Sequence, residues 1–170
     1  VPEMDKDVKR LEQIAERFSK IGSEPDLYKT ELSEAVKHTY DYMKKRASEH
    51  INFQFASSQS MDVMLSAPLF SWVIENLIKN ALNAIVNDGA ISITIFKQGT
   101  DAIIDVKDSG KGIAKGNFAL VFKPGYTTRR RGWGLGLSLT KRIVEEYHQG
   151  KIFVKESAIN QGTTFRIILP

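Results

Sequence analysis

Two glycine clusters and a row of asparagines are the residues best able to do chemistry in this 170-residue chain. Asp108-x-Gly110-x-Gly112 is followed by a short basic segment containing Thr127 and Thr128, then by Gly132-x-Gly134-x-Gly136. Glycines so spaced let a backbone approach a ligand closely and turn through positive φ. The second cluster runs directly into the apolar helical pattern of Leu135 to Tyr147, so its N–H groups open a helix where the dipole favours phosphate. Upstream, Asn76, Asn80, Asn83 and Asn87 recur at offsets of four, three and four. At about 100° per residue they share one helix face, while Phe70, Val73, Ile74, Leu77, Ala81 and Ile85 share another. An asparagine offers a carbonyl oxygen to a hard cation and no charge to repel a polyphosphate. Alone, such a stripe reads as a solvated face; beside the glycine clusters it predicts a nucleotide site closed by a lid.

The elements that must position these groups are legible around them. Ser66 is a candidate N-cap for the asparagine helix, with Pro68 in its first turn and the pattern continuing to about Val86. From Gly89, Ile91, Ile93 and Ile95 alternate with Ser92, Thr94 and Phe96; Gly99 marks a turn, and Ala102 to Val106 returns. A helix from about Glu31 to Ala47, with Thr30 as N-cap, precedes short strand patterns at Ile51 to Ala56 and Val63 to Leu65. Strands at Ile152 to Lys155 and Thr164 to Leu169 close the chain. Adjacent strands joined by tight turns predict an α+β two-layer sandwich, its mixed, mainly antiparallel sheet covered by three helices. At the N-terminus, Met4, Val8, Leu11, Ala15 and Phe18 form a heptad seam ending at Gly22. At under three heptads it needs a partner surface, and it reads as the tail of a longer helix in a dimeric bundle. Ser23-Glu24-Pro25-Asp26 is the linker.

Composition narrows the class. A hydrophobic content of 42% is enough for a core, and the lack of cysteine excludes disulfides and thiolate metal sites. No apolar run approaches a membrane span and no signal-like segment opens the chain. The net charge of +4 is modest and concentrated in Arg129-Arg130-Arg131, so neither nucleic acid nor membrane is the expected partner.

Five motifs in order, Asn76-Leu77-Ile78-Lys79-Asn80-Ala81, Asp108-Ser109-Gly110-Lys111-Gly112-Ile113, Phe122-Lys123-Pro124-Gly125-Tyr126-Thr127-Thr128, Gly132-Trp133-Gly134-Leu135-Gly136-Leu137 and Gly162-Thr163-Thr164-Phe165, resemble the ATP-binding domain shared by sensor histidine kinases, gyrase-type topoisomerases, mismatch-repair ATPases and mitochondrial dehydrogenase kinases. The resemblance covers roughly Thr30 to Pro170 and implies the Bergerat ATP-binding fold. It implies further that Asn80 coordinates Mg²⁺ and that Asp108 accepts from the adenine amino group. Guanine, with a keto oxygen there, would set two acceptors face to face. Gly110 and Gly112 would let the backbone pass along the base, with Ile113 as an apolar wall and Thr163 reaching adenine through water. Gly132, Gly134, Leu135, Gly136 and Leu137 would present N–H groups to phosphate. Phe118 to Arg131 would be the lid, anchored by Phe122 and Tyr126. At least one of Thr127, Thr128, Arg129 and the two following arginines is expected on the terminal phosphate. Asn83 stands where the family carries a basic residue, among the residues lining the nucleotide.

One position sorts the family by chemistry. Members that hydrolyse ATP carry a glutamate one turn before the magnesium asparagine, as general base; here that position is Asn76, an amide without basicity. Glu75 is about 100° away and four residues before Lys79, the spacing of an exposed ion pair. The resemblance thus points to a protein histidine kinase, with Asn76 and Asn80 as its catalytic pair and ATP and Mg²⁺ as cofactors. None of His38, His50 and His148 fits the acceptor motif, so the chain is expected to be a catalytic fragment whose phosphoacceptor helix lies elsewhere. Residues 1–24 would end a dimerisation helix and residues 25–170 form the catalytic domain. Expected partners are that upstream acceptor domain, a response regulator and, in the full protein, a second copy. A cytoplasmic location is expected, including as the cytoplasmic part of a membrane-anchored sensor. An ATP-hydrolysing or serine-kinase relative, with Glu75 as base, and a non-catalytic nucleotide-sensing module are the competing readings.

Overall fold

The computed structural model describes residues 4, 5, 8, 9, 12, 13, 16, 19, 22–128 and 134–170. Its elements in order are β1 (Tyr28–Glu31), α1 (Leu32–Arg46), β2 (Ile51–Ser57), β3 (Asp62–Leu65), α2 (Ala67–Ala84), β4 (Gly89–Gln98) and β5 (Asp101–Asp108). Two 3₁₀ turns follow, then α3 (Gly136–Arg142) passing into a π-helical turn (Ile143–Tyr147), and finally β6 (Lys151–Ser157) and β7 (Thr163–Leu169). The described residues before Ser23 are helical up to Ser19, but of the heptad seam only Met4 and Val8 are among them, 66% and 51% exposed. Leu11, Ala15 and Phe18 lie outside the described residues.

The main sheet has five strands in the order β2-β4-β5-β7-β6. Three of its four pairings are antiparallel, as tight turns require; the β4–β5 hairpin turns on Gly99, at φ +63°, between the paired Gln98 and Asp101. β2 and β4 are parallel instead, because β3 and α2 intervene and return the chain in the same direction. The alternation read from Gly89 onward is realised: Ile91, Ile93 and Ile95 are fully buried. They share a core with Phe70, Val73, Ile74, Leu77 and Ala81 of the apolar face predicted for the asparagine helix and with Ile78, which was not predicted there, and α1 adds Leu32, Val36, Tyr40 and Met43. Truncating one such residue, Ile74→Ala for instance, would cost about 2–5 kcal/mol.

Three local expectations are corrected. Thr30 does not cap α1: it lies in β1, its hydroxyl donating to Tyr28 C=O at 2.9 Å, and Glu31 is the N-cap, accepting from Glu34 N–H at 2.7 Å. β1 itself, paired antiparallel with β3, was absent from the expected strands, being four residues without alternation. The asparagine helix ends at Ala84, so Asn87, at φ +65°, leaves the stripe and takes the left-handed turn conformation that asparagine tolerates.

Candidate functional site

The i, i+4 geometry of α2 places Trp72, Asn76, Asn80 and Ala84 on one line, and that line is a wall of a cavity of about 540 Å³. The loop after β5, the start of α3 and the entry into β7 form its other sides. Asn83 is one position off the line and does not reach the cavity. It is exposed and donates back to Lys79 C=O at 2.5 Å, a local bond that explains the departure from the predicted stripe.

One end of the cavity is built on the sheet. Asp108 closes β5, paired with Ile91 on one side and Thr163 on the other, and is 5% exposed. Its Oδ1 accepts from Gly110 N–H at 2.7 Å. Burial pushes its carboxyl above the ordinary value, against the downward pull of the Gly110 and Thr163 N–H groups. Gly112 sits at φ +74° with Ala158 C=O so close that a Cβ would lie 1.9 Å from it; no side chain fits. Gly110 lines no part of the cavity: it packs on Ala84, whose carbonyl accepts from Lys111 N–H at 2.9 Å, and a Cβ there would come within 2.6 Å of Ala84. Ile113 and Thr163 line the cavity and are joined through Ser157, whose Oγ accepts from Ile113 N–H at 2.7 Å and lies 2.8 Å from Thr163 Oγ1.

The other end is the junction of α2 and α3. Asn76 Nδ2 donates to Gly136 C=O and to Thr140 Oγ1, each at 3.3 Å, and Thr140 donates to Gly136 C=O at 2.8 Å. Gly134, Leu135, Gly136 and Leu137 line this end, as do Tyr126, Thr127 and Thr128 from the predicted lid. The lid's neck is closed by Gly125 N–H donating to Gly134 C=O at 3.0 Å, and Lys111 Nζ reaches across to Thr128 Oγ1 at 3.1 Å. Phe122 is core, not cavity: it is 8% exposed, edge-on to Phe165 at 6.0 Å, with the Lys141 ammonium 5.5 Å from its ring. Arg129 and Gly132, also expected here, lie outside the described residues.

Several lining residues were not anticipated. Trp72 and Ala84 continue the i, i+4 line of Asn76 and Asn80 in both directions, a signal present in the sequence and masked by counting asparagines. Lys111, between two glycines that hold the backbone against the cavity, was the other legible one. Lys79 was read only as the partner of Glu75, a pair it does make, yet it also borders the cavity. Phe165 stood in the fifth motif with no role assigned to it, and Gln13, from the N-terminal helix, carried no local signal.

Residues 66–170 match the family model described as histidine kinase-, DNA gyrase B-, and HSP90-like ATPase. The chain is 33% identical over 172 residues to sensor histidine kinase ZraS of Salmonella typhimurium, covering 98% of this chain and 37% of that protein. It is 31% identical to sporulation kinase E of Bacillus subtilis, covering 96% and 23% respectively. It therefore spans well under half the length of these relatives. The nucleotide-free catalytic domain of the histidine kinase ThkA superposes with a TM-score of 0.78 at 28% identity, over 86% of this chain and 96% of that one. ThkA in complex with the response regulator TrrA gives 0.78 at 27% identity, over 98% of this chain and 48% of that one. With the asparagine line, the Asp108 end and the α2–α3 junction all opening on one cavity, the chain belongs to the histidine kinase-, DNA gyrase B- and HSP90-like ATPase family, as the ATP-binding catalytic domain of a sensor histidine kinase.

Proposed function

We propose that this domain binds ATP with Mg²⁺ and donates the γ-phosphate to a histidine on an upstream dimerisation helix, within a full-length homodimer that passes the phosphate to a response regulator. One observation carries the choice of acceptor: among the described residues lining the cavity, Asp108 is the one carboxylate, and it is committed to the backbone at the sheet end. Where a hydrolase places its general base stands Asn76, whose amide is spent holding α3. Glu75 pairs with Lys79 and does not line the cavity. A histidine acceptor is itself the nucleophile, so positioning does most of the work.

The residues fit the magnesium assignment. Asn80 lines the cavity, and its side-chain amide carries the kind of carbonyl oxygen a hard cation takes. Among the described residues no group of three or more His, Cys, Asp or Glu forms a cage of its own, so a cation here would be held by Asn80 together with the nucleotide's phosphates. Magnesium, when bound, would supply positive charge against those phosphates. Asp108 would accept from the adenine amino group, and the α3 end would receive the phosphates. The crystallised ThkA–TrrA complex supports a response regulator as the downstream partner.

The test mixes the chain with γ-labelled ATP and a separately supplied dimerisation domain bearing its histidine. Label on that domain, acid-labile and base-stable, with little phosphate release when the acceptor is absent, is the expected result. Steady hydrolysis by the chain alone, abolished in Glu75→Gln, would overturn it in favour of a water-using enzyme. Tight ATP binding with neither transfer nor hydrolysis would make the domain a nucleotide sensor.

A further inference from the structure

His148 is buried, 3% exposed, and takes no part in the cavity, yet it is the second point at which α2 and α3 are joined. Its Nε2 accepts from Ser66 N–H at 3.0 Å, and its Nδ1 lies 2.8 Å from Ile143 C=O. An acceptor at Nε2 puts the single ring proton of a neutral imidazole on Nδ1, which donates to Ile143. Ser66 is the N-cap residue of α2 without a side-chain cap bond, and Ile143 begins the π-helical turn that ends α3. One ring thus serves a backbone donor at the start of one helix and a backbone acceptor at the end of the other, with Phe70 edge-on at 5.6 Å covering it.

The two helices run antiparallel. Asn76 grips the α3 start through Gly136 and Thr140, and His148 grips the α3 end through Ile143. α3 is only seven residues long before its π turn, so these two grips set where its first turn lies against the asparagine line. We propose that His148 is a positioning residue of the nucleotide site: by tying the end of α3 to the start of α2 it holds the α3 start at Asn76, and protonating or removing the ring releases that hold and weakens ATP.

The direction with pH follows from the geometry. A proton on Nε2 would face the Ser66 N–H, two donors in contact with no room for water. Burial holds the ring below its ordinary value of 6.5, partly offset by the Ile143 carbonyl. The unfolded chain therefore binds the extra proton more readily, and the tie weakens as pH falls below about 6.5. No charged group among the described residues contributes to this shift. Around the π turn, Lys141 pairs with Glu145 at 3.8 Å and Arg142 with Glu146 at 3.1 Å, while Glu145 also accepts from Ile152 N–H; on α2, Glu75 and Lys79 pair with each other.

The experiment is calorimetric titration of the chain with Mg-ATP from pH 8 to pH 5 in wild type, His148→Gln and His148→Ala. Glutamine keeps an acceptor and a donor on a group that does not titrate. At pH 7.5 the glutamine variant is expected within about threefold of wild type and the alanine variant about tenfold weaker. On acidification wild type should lose affinity more steeply than His148→Gln. Comparing the two at each pH cancels the titration of ATP and of Asp108, which they share. Parallel profiles, alanine-variant affinity equal to wild type, or a glutamine variant no better than alanine would each overturn the proposal. Should the alanine variant not fold, the two remaining profiles decide.

Discussion

Asp108 and His148 are both buried, and burial moves them oppositely: the carboxyl is pushed up and the imidazole down, each toward its neutral form. For Asp108 this sets binding against stability. A carboxyl whose folded value is raised contributes its stability below the ordinary value and loses it as pH rises through the raised one. Asp108→Asn fixes the neutral form while keeping an oxygen for the Gly110 N–H. The variant should therefore melt above wild type at pH 7.5, the gap closing as pH approaches 4, while ATP affinity should fall about tenfold for loss of the proposed adenine acceptor. Thermal melts across pH, with titration of ATP at neutral pH, check both halves; a lower melting temperature at pH 7.5 would show that the ionised carboxylate is worth more to the fold than its burial costs. Asn80→Ala separates the metal from the base. It should remove the magnesium-dependent part of the melting shift that ATP produces and leave the rest, read from melts with ATP in magnesium and in chelator.

Secondary structure was most legible where one rule of spacing governs a long run. The apolar face of α2 and the β4 alternation came through because burial selects every second or every third and fourth side chain. Boundaries set by single hydrogen bonds did not. Thr30 and Glu31 are both plausible at the head of α1, and the choice fell to Glu31 because its carboxylate also accepts from Met61 N–H at 3.2 Å and from the Ser33 and Ser60 hydroxyls, partners 2 to 30 residues away. Burial works to raise its pKa, and the bonds from Glu34, Ser33 and Met61 outweigh it, so the group lies below its ordinary value. Its contribution is present at neutral pH and lost as pH falls through that lowered value. Glu31→Ala should cost about 1 kcal/mol, a fall in melting temperature of about 2–4 °C. The deficit should shrink in acid and ATP affinity should hold, since no atom of this cap borders the cavity.

At the scale of the molecule, five motifs far apart in sequence each bring residues to one cavity because each is short and locally constrained; Gln13 was not readable, because it arrives there only through helix packing. The same distinction governs the N-terminal helix. Among the described residues the apolar core runs from Leu32 to Leu169 and takes in none of residues 1–24. Met4 and Val8 are exposed, as a seam awaiting another helix would be, and Gln13 alone among the described residues of that helix touches the cavity wall. A chain of residues 25–170 should therefore fold with a melting temperature within about 2 °C of the longer one, because none of the described residues of 1–24 belongs to the buried core. Its Mg-ATP affinity should change by less than about threefold, the scale of one exposed polar contact. Calorimetry and melts on the two lengths decide. A loss of several degrees, or of nucleotide binding, would make the helix an integral wall of the catalytic domain. Retention of both would leave it free to serve as the end of the proposed dimerisation helix.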